Sequence, residues 1–152
     1  MFLQIDGVEG ESLDSKHKGE IDIESFSWGV KQSATLTGGG AGAGKAEISD
    51  FTVVKHFDKS SVELAHATAT GQHFKFAELT VRRSGGAQLE YLTYKLEDLL
   101  VSSVSTSGSG SGRPVETISL NFAKIEITYH EQKADGSLGA GISTSLSAFA
   151  TK

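Results

Sequence analysis

The sequence contains no cysteine, and its 152 residues include only one proline and one tryptophan. Without cysteine the chain has neither a disulfide framework nor a thiolate metal cluster, so packing and hydrogen bonds must supply its stability. Cysteine usage therefore leaves the redox compartment open. The length suits one domain that buries a sizeable core without such staples. We expect a single domain over residues 1–152.

Clusters of basic residues and long apolar runs are also missing. The 19 acidic and 14 basic residues give a net charge of -5 and are spread along the chain, so no cationic stripe for a phosphate backbone is present. No apolar run approaches the roughly 20 residues that span a bilayer. Charged residues follow Met1 too soon for a secretory signal peptide. We expect neither nucleic acid nor a membrane among the partners.

Apolar residues that alternate with polar ones predict a mainly β protein of about seven strands. Near Glu24 and Ser25 the alternation changes phase within one predicted strand, and a second strand does the same midway, which indicates bulges or bent strands. The tail over 137–152 is either a weak last strand or a partly disordered end. The other predicted strands cover residues 3–5, 20–30, 45–57, 74–83, 89–104 and 115–129. The apolar face of the strand over 89–104 is predicted to hold Leu92, Tyr94, Leu96 and Leu100.

Only one helix is predicted. Ser60 and Glu63 have the spacing of a capping box, and Gly71 is placed to end the helix. Turn signals at 84–86 and at Asp135-Gly136 join neighbouring strands into hairpins. The predicted fold is an antiparallel β-barrel or two-sheet fold with one flanking α-helix.

The 18 glycines gather in a few stretches without a period. Residues 37–44 hold only glycine and small side chains, and residues 105–112 contain only Ser, Thr and Gly. Nothing in these stretches could anchor to a core, so both are predicted to be mobile loops. A charged loop is predicted over 7–19. The length of the loop over 37–44 is itself a hint of function.

No catalytic motif is recognisable. The chain has no G-x-S-x-G elbow, and Gly44-Lys45 opens a predicted strand where a P-loop would open a helix. Asp22 and Glu24 share one strand face, where solvated carboxylates are a simpler interpretation than an acid/base pair. The histidines are dispersed without metal-ligand spacing, and are expected to be surface or strand residues: His17, His56, His66, His73 and His130. We expect no enzyme activity, no metal and no cofactor.

Three classes of function remain open on these residues: a self-assembling structural protein, a monomeric β-barrel that binds a small ligand, and a hydrolase with an unrecognised serine site. An aromatic content of 8% is little material for an apolar pocket and a core at once. Long strands with exposed edges pair with something unless the sheet closes or another subunit covers them. A head-to-tail contact between identical subunits forms a ring when the rotation closes. Self-assembly is therefore favoured.

Short segments in a fixed order carry a resemblance over nearly the whole chain as far as Gly136. They are Gly10-Glu11-Ser12, Lys16-His17-Lys18, Ile21-Asp22-Ile23, Phe26-Ser27-Trp28-Gly29, Val101-Ser102-Ser103-Val104-Ser105, Asn121-Phe122-Ala123-Lys124 and Glu131-Gln132-Lys133-Ala134-Asp135-Gly136. Each resembles a segment of the Hcp (haemolysin-coregulated protein) family. That family provides the inner-tube subunit of the bacterial type VI secretion system.

The resemblance implies a β-barrel with one flanking helix that forms six-membered rings, which stack into a hollow tube. Implied partners are further copies of the chain, a contractile sheath, a VgrG spike, and effector proteins in the lumen, for which the ring acts as a chaperone. The implied location is the bacterial cytoplasm before firing, followed by secretion without a signal peptide. No active site and no cofactor are implied.

Two kinds of contact site follow for this family. Ser27 lies between apolar Phe26 and Trp28 and so on the other side of its strand, and we expect it to line the lumen and touch cargo, the alternative being an ordinary polar strand residue. Loops that contact the next ring are predicted at Gly38, Gly39, Gly40, Gly42, Gly44, Gly85 and Gly86. In one departure, residues 143–152 lack the Gly-Trp-Asn or Gly-Trp-Asp element expected of the family.

Overall fold

The computed structural model describes residues 1–33, 45–84 and 88–148. Within these ranges the chain forms ten strands and one helix. The strands are β1 (Phe2–Ile5), β2 (Ile21–Asp22), β3 (Ser25–Ser27), β4 (Val30–Gln32), β5 (Ala46–Ile48), β6 (Phe51–His56), β7 (His73–Arg82), β8 (Glu90–Ser107), β9 (Val115–Gln132) and β10 (Leu138–Ser147). The helix is α1 (Lys59–Thr70), and it packs against β8.

Eight of the strands form one curled antiparallel sheet in the order β2-β1-β7-β8-β9-β6-β3, with β10 paired to β9 beside this path. The length of β9, 18 residues, makes this branching possible, because its first half pairs with β6 and its second half with β10. Strands β4 and β5 form a separate two-stranded ribbon. The mainly β prediction with one helix is confirmed, and the sheet takes the form of a curled half-barrel.

The two longest strands change their buried face at the same level. In β8 the buried set passes from Leu96 to Leu99, and in β9 it passes from Phe122 to Ile125. The register pairs Leu96 with Ile125 and Leu99 with Phe122, so both strands switch together. Asp98 has a φ of 50° in the middle of β8, an unusual conformation for a residue with a side chain. This conformation turns the side chains of the following residues to the opposite faces of the sheet.

The core fills the inside of the curled sheet. The Tyr94 ring of β8 has its centroid 5.1 Å from Phe51 of β6 and 5.4 Å from Phe26 of β3, which lie across the sheet from it. These contacts require the sheet to curl. Burial raises the pKa of the Tyr94 phenol above its ordinary value.

Helix α1 starts earlier than the sequence predicted. Asp58 is the N-cap: its carboxylate accepts a hydrogen bond from the Ser60 N–H at 2.9 Å, and the Ser61 hydroxyl accepts one from the Asp58 N–H at 3.0 Å. The capping box predicted at Ser60 and Glu63 was therefore wrong by two residues, because the extended backbone at Asp58 suits the cap position. Gly71 ends the helix with a φ of 67°, as predicted.

The predicted long strands over 20–30 and 45–57 are broken. The first becomes β2, β3 and the start of β4, and the second becomes β5 and β6. Each is interrupted where the alternation changes phase, so the irregularity was predicted correctly and the continuous strands were wrong. A sheet that curls this tightly cannot keep such strands straight.

Three further expectations concern β8 and β10. Leu100 is only partly buried and does not continue the apolar face of Leu96, because the unusual backbone at Asp98 intervenes. Strand β8 runs to Ser107, so the first residues of the predicted mobile loop over 105–112 belong to a strand. Of the two alternatives for the tail, a last strand or a disordered end, the strand is correct over Leu138–Ser147.

Candidate functional site

Ser27 lies on the outer face of the sheet. It ends β3, and its side chain is exposed, whereas its neighbours Phe26 and Trp28 are partly buried. The Phe26 ring stacks on Phe51 with the centroids 5.8 Å apart. Because successive side chains of a strand point to opposite faces, Ser27 turns away from the core.

A row of hydroxyl side chains crosses four strands at the level of Ser27. The register pairs Ser27 with Thr52, Thr52 with Ser119, and Ser119 with Ser103. Oγ1 of Thr52 and Oγ of Ser119 are 3.1 Å apart, within hydrogen-bond distance. Residues opposite one another in a sheet share a face. We call these four residues the hydroxyl row, and the outer surface of β3, β6, β9 and β8 around it the polar face.

Asp50 joins the polar face immediately before β6, two positions from Thr52. The Ser102 hydroxyl donates to its Oδ2 at 2.6 Å, and the Asn121 side-chain amide donates to its Oδ1 at 2.9 Å. Sequence reasoning missed this residue. The available signal was its position in phase with Thr52, opposite to the buried Phe51.

The glycines predicted to contact the next ring lie outside the described residues, namely Gly38, Gly39, Gly40, Gly42, Gly44, Gly85 and Gly86. The first five fall between β4 and β5 in the sequence. The ribbon of these two strands bears a groove of about 380 Å³ lined by Val30 and Ile48 among others. Val30 is 49% exposed. The ribbon thus presents apolar surface on the two strands that flank the predicted loop in the sequence.

A buried ion pair joins the helix start to the sheet, and sequence reasoning missed it. Nζ of Lys55 lies 2.9 Å from Oε1 of Glu116, 3.0 Å from Oδ1 of Asp58 and 2.8 Å from Oγ of Ser61. The side chains of Lys55 and Glu116 are each 1% exposed. Thr106 donates to the other oxygen of Glu116 at 3.0 Å. A lysine and a glutamate on the apolar phase of two strands were the available signal.

The loop over 7–19 is fastened to the sheet through His17. Its Nδ1 lies 3.0 Å from Oε1 of Glu20, and its Nε2 lies 2.6 Å from Oε1 of Glu90. The ring stacks on Phe2 with centroids 4.5 Å apart. The expectation of a surface or strand histidine was wrong for His17, because it is buried among these groups.

A second fastening joins the same loop to β7. Arg82 binds both carboxylate oxygens of Asp14. These hydrogen bonds lower the pKa of the Asp14 carboxyl below its ordinary value and raise the pKa of the Arg82 guanidinium. The loop over 7–19 is therefore held to the sheet by the polar contacts of His17 and Asp14, and Lys59 at the start of α1 adds a contact to Glu9 at 3.0 Å.

Asp22 and Glu24, the carboxylates considered for acid/base chemistry, line a cavity of about 390 Å³. His56 and Arg113 line the same cavity. Oε1 of Glu24 lies 3.3 Å from Nε2 of His56, and both side chains are well exposed. Among the described residues no hydrogen bond joins a serine hydroxyl to a histidine ring. The described residues therefore contain no serine–histidine pair of the kind that a hydrolase uses.

Residues 1–33, 45–84 and 88–148 contain neither a metal-binding cluster nor a membrane-spanning helix. No group of three or more His, Cys, Asp or Glu side chains in these ranges could hold a metal ion. No helix in them is long and apolar enough to cross a membrane.

The sequence and the fold both match known proteins. Residues 2–129 match the family described as "Type VI secretion system effector, Hcp". The chain is 46% identical over 144 residues to protein hcp1 of Pseudomonas aeruginosa, covering 93% of this chain and 89% of that protein.

Solved structures agree with this match. A type six secretion system protein superposes with a TM-score of 0.92 at 35% identity, covering 99% of this chain and 96% of that one. Hcp1 from Salmonella typhimurium superposes with a TM-score of 0.83 at 35% identity, covering 99% and 95%.

The curled half-barrel and these matches define the chain as a type VI secretion system protein. Within that class it belongs to the Hcp family. The resemblance noted in its short sequence segments is confirmed.

Proposed function

We propose that the protein is the ring-forming tube subunit of a type VI secretion system, and that six copies close into a ring whose lumen carries effector proteins. Rings stack into a tube that is capped by a VgrG spike and driven by a contractile sheath. The protein leaves the cytoplasm by this route. It acts on its passengers as a carrier and chaperone and not as an enzyme.

The free edge of β10 is the observation that carries the proposal. Eight of its ten residues pair with β9 on one side, and no other described strand pairs with it. The segment Leu138–Ser147 contains no charged residue and no proline, which are the devices that usually prevent edge strands from pairing with another chain. Ile142 in this strand is 71% exposed. A second copy of the chain would cover this edge.

The composition of the polar face supports its assignment to the lumen in this proposal. A passenger protein must be held weakly enough to leave, and a surface of hydroxyl groups offers hydrogen bonds without a large apolar contact. Ser27 is the residue of the hydroxyl row that we assign to cargo contact. The loops at Gly38–Gly44 and Gly85–Gly86 are assigned to contacts between stacked rings, and the apolar ribbon of β4 and β5 supports the first of these.

The mass of the purified protein by size exclusion with light scattering tests the assembly. We expect a mass near six times 16.0 kDa. In Ile142→Lys a charge is placed on the free edge, so the ring population should fall while the far-ultraviolet circular dichroism is unchanged. Val62→Lys is the matched control, because Val62 is an equally exposed apolar residue, at 69%, on the helix.

Each outcome bears on the proposal. A stable monomer for the unaltered protein would contradict it and favour the small-ligand barrel. Rings of full mass in Ile142→Lys would remove the β10 edge from the subunit contact.

A further inference from the structure

We propose that Asp50 is a cation-binding position on the polar face, which makes the tube select passengers that present lysine-rich or arginine-rich segments. The inference rests on the proposed function, because it takes the polar face as the surface that passengers touch. It adds the chemistry of the partner: a basic peptide segment.

The carboxylate of Asp50 is held in one orientation by neutral groups. Oδ2 accepts from the Ser102 hydroxyl at 2.6 Å, and Oδ1 accepts from the Asn121 amide at 2.9 Å. Each carboxylate oxygen accepts more than one hydrogen bond. Acceptor sites therefore remain for a further donor, and the two neutral donors leave the negative charge uncompensated.

No cation within the described residues is paired with Asp50. This separates it from acidic residues elsewhere in the chain that have a basic partner within 4.0 Å, as in the pairs Asp14–Arg82, Glu47–Lys31, Glu97–Lys124 and Glu116–Lys55. Because a carboxylate without a basic partner attracts a cation from outside, Asp50 is open to a basic side chain of another molecule.

The side chains that donate to Asp50 and those of the hydroxyl row are neutral. It lies in phase with Thr52, and Asn121 lies in phase with Ser119, so carboxylate and hydroxyl row share one face. At the next level of the sheet, Ser25 pairs with Val54, Val54 with Thr117, and Thr117 with Ser105. None of these positions would repel a lysine or an arginine.

A fixed carboxylate beside hydroxyl groups suits basic side chains. Guanidinium and ammonium groups form charge-assisted hydrogen bonds with a carboxylate, and a carboxylate already held in place loses little freedom on binding. In a ring the carboxylate recurs in every copy, so a passenger with several basic residues gains from several contacts at once. An acidic segment would meet repulsion at the same positions.

Peptide binding to the assembled protein tests the assignment. The probes are two fluorescent peptides of the same length, one lysine-rich and one glutamate-rich. Fluorescence anisotropy measures their binding at low salt. We expect tighter binding of the lysine-rich peptide, and a loss of about fivefold in Asp50→Asn, the upper end of the range for one exposed ion pair. The loss should disappear at about 1 M salt, where charges are screened within about 3 Å.

Two variants serve as comparisons. Glu47→Gln removes one negative charge from the ribbon, where Glu47 is paired with Lys31 at 3.1 Å, and should leave binding unchanged. Ser27→Gln adds bulk to the hydroxyl row without changing the charge, and should weaken both peptides to a similar degree.

The outcomes separate this inference from the proposed function. Equal binding of the lysine-rich peptide by Asp50→Asn and the unaltered protein would overturn the assignment, as would an equal loss in Glu47→Gln, which would point to net charge alone. The proposed function is judged separately by the mass of the same samples: a monomer contradicts the ring whatever the peptides do.

Discussion

Replacement of Lys55 by methionine tests the role of the buried ion pair. Methionine keeps most of the length of lysine but removes the charge, so the carboxylates of Glu116 and Asp58 lose the cation 2.9 and 3.0 Å away. Glu116 is 1% exposed and has no access to water as a substitute. Removal of one partner of a buried pair costs about 3–5 kcal/mol. We expect a loss of that size in the free energy of unfolding.

The double variant Lys55→Met with Glu116→Gln shows where this cost comes from. The glutamine is neutral and still accepts the hydrogen bond that Thr106 donates to Glu116. If the cost is mainly that of an unpaired buried charge, the double variant should recover about 1–3 kcal/mol of the loss. Additive losses would show that lysine packing dominates.

Denaturation by urea at several fixed protein concentrations measures these values, because assembly stabilises a folded subunit by mass action. Lys124→Met is the matched control: Lys124 lies 3.8 Å from Glu97, with side chains 46% and 44% exposed, and an exposed pair is worth about 0–1 kcal/mol. A loss below about 1 kcal/mol in Lys55→Met, equal to that of the control, would refute the reasoning.

Two further predictions concern the loop over 7–19. In Gly10→Ala the new Cβ would lie 2.4 Å from the backbone oxygen of Glu20. Overpacking of this kind costs about 1–3 kcal/mol. Urea denaturation measures this loss against Gly29→Ala, where no atom lies within 4 Å of the new Cβ. Arg82 lowers the pKa of Asp14, so this pair stabilises the fold above the ordinary pKa of 3.8 and the stabilisation is lost as the pH falls through the folded value.

Comparison of the unaltered protein with Asp14→Asn checks the pH prediction. Their difference in unfolding free energy should be constant from about pH 7 to pH 5 and shrink below about pH 4. A difference that grows with acid would contradict the assigned direction. For Gly10→Ala, a loss no larger than that of Gly29→Ala would show that the loop backbone moves aside freely.

The local signals in the sequence located most elements, because they depend on neighbours along the chain. Gly71 ends α1, and Asp135-Gly136 turns β9 into β10. The phase change near Glu24 marked the end of one strand and the start of another. Capping failed by two residues, since Asp58 and Ser60 are both good caps and the packing of the helix selects between them.

Contacts between distant parts of the chain were not predictable in the same way. Lys55 and Glu116 are 61 residues apart, and Asp50 and Asn121 are 71 apart. Each pair meets because β6 pairs with β9 in one register. A shift of one residue would have placed Lys55 and Glu116 on opposite faces, and only the complete sheet decides this.

The sequence by itself determined the fold class, the single helix and the membership of the Hcp family, because alternation, glycine and short motifs are written in local order. Tertiary structure alone decided which polar residues share a face. Curling of the sheet buried the charges of Lys55 and Glu116 inside and set Asp50 beside the hydroxyl row of Ser27 outside. The physical reason is that side-chain partners in a sheet depend on register, and register is fixed by the packing of the whole core.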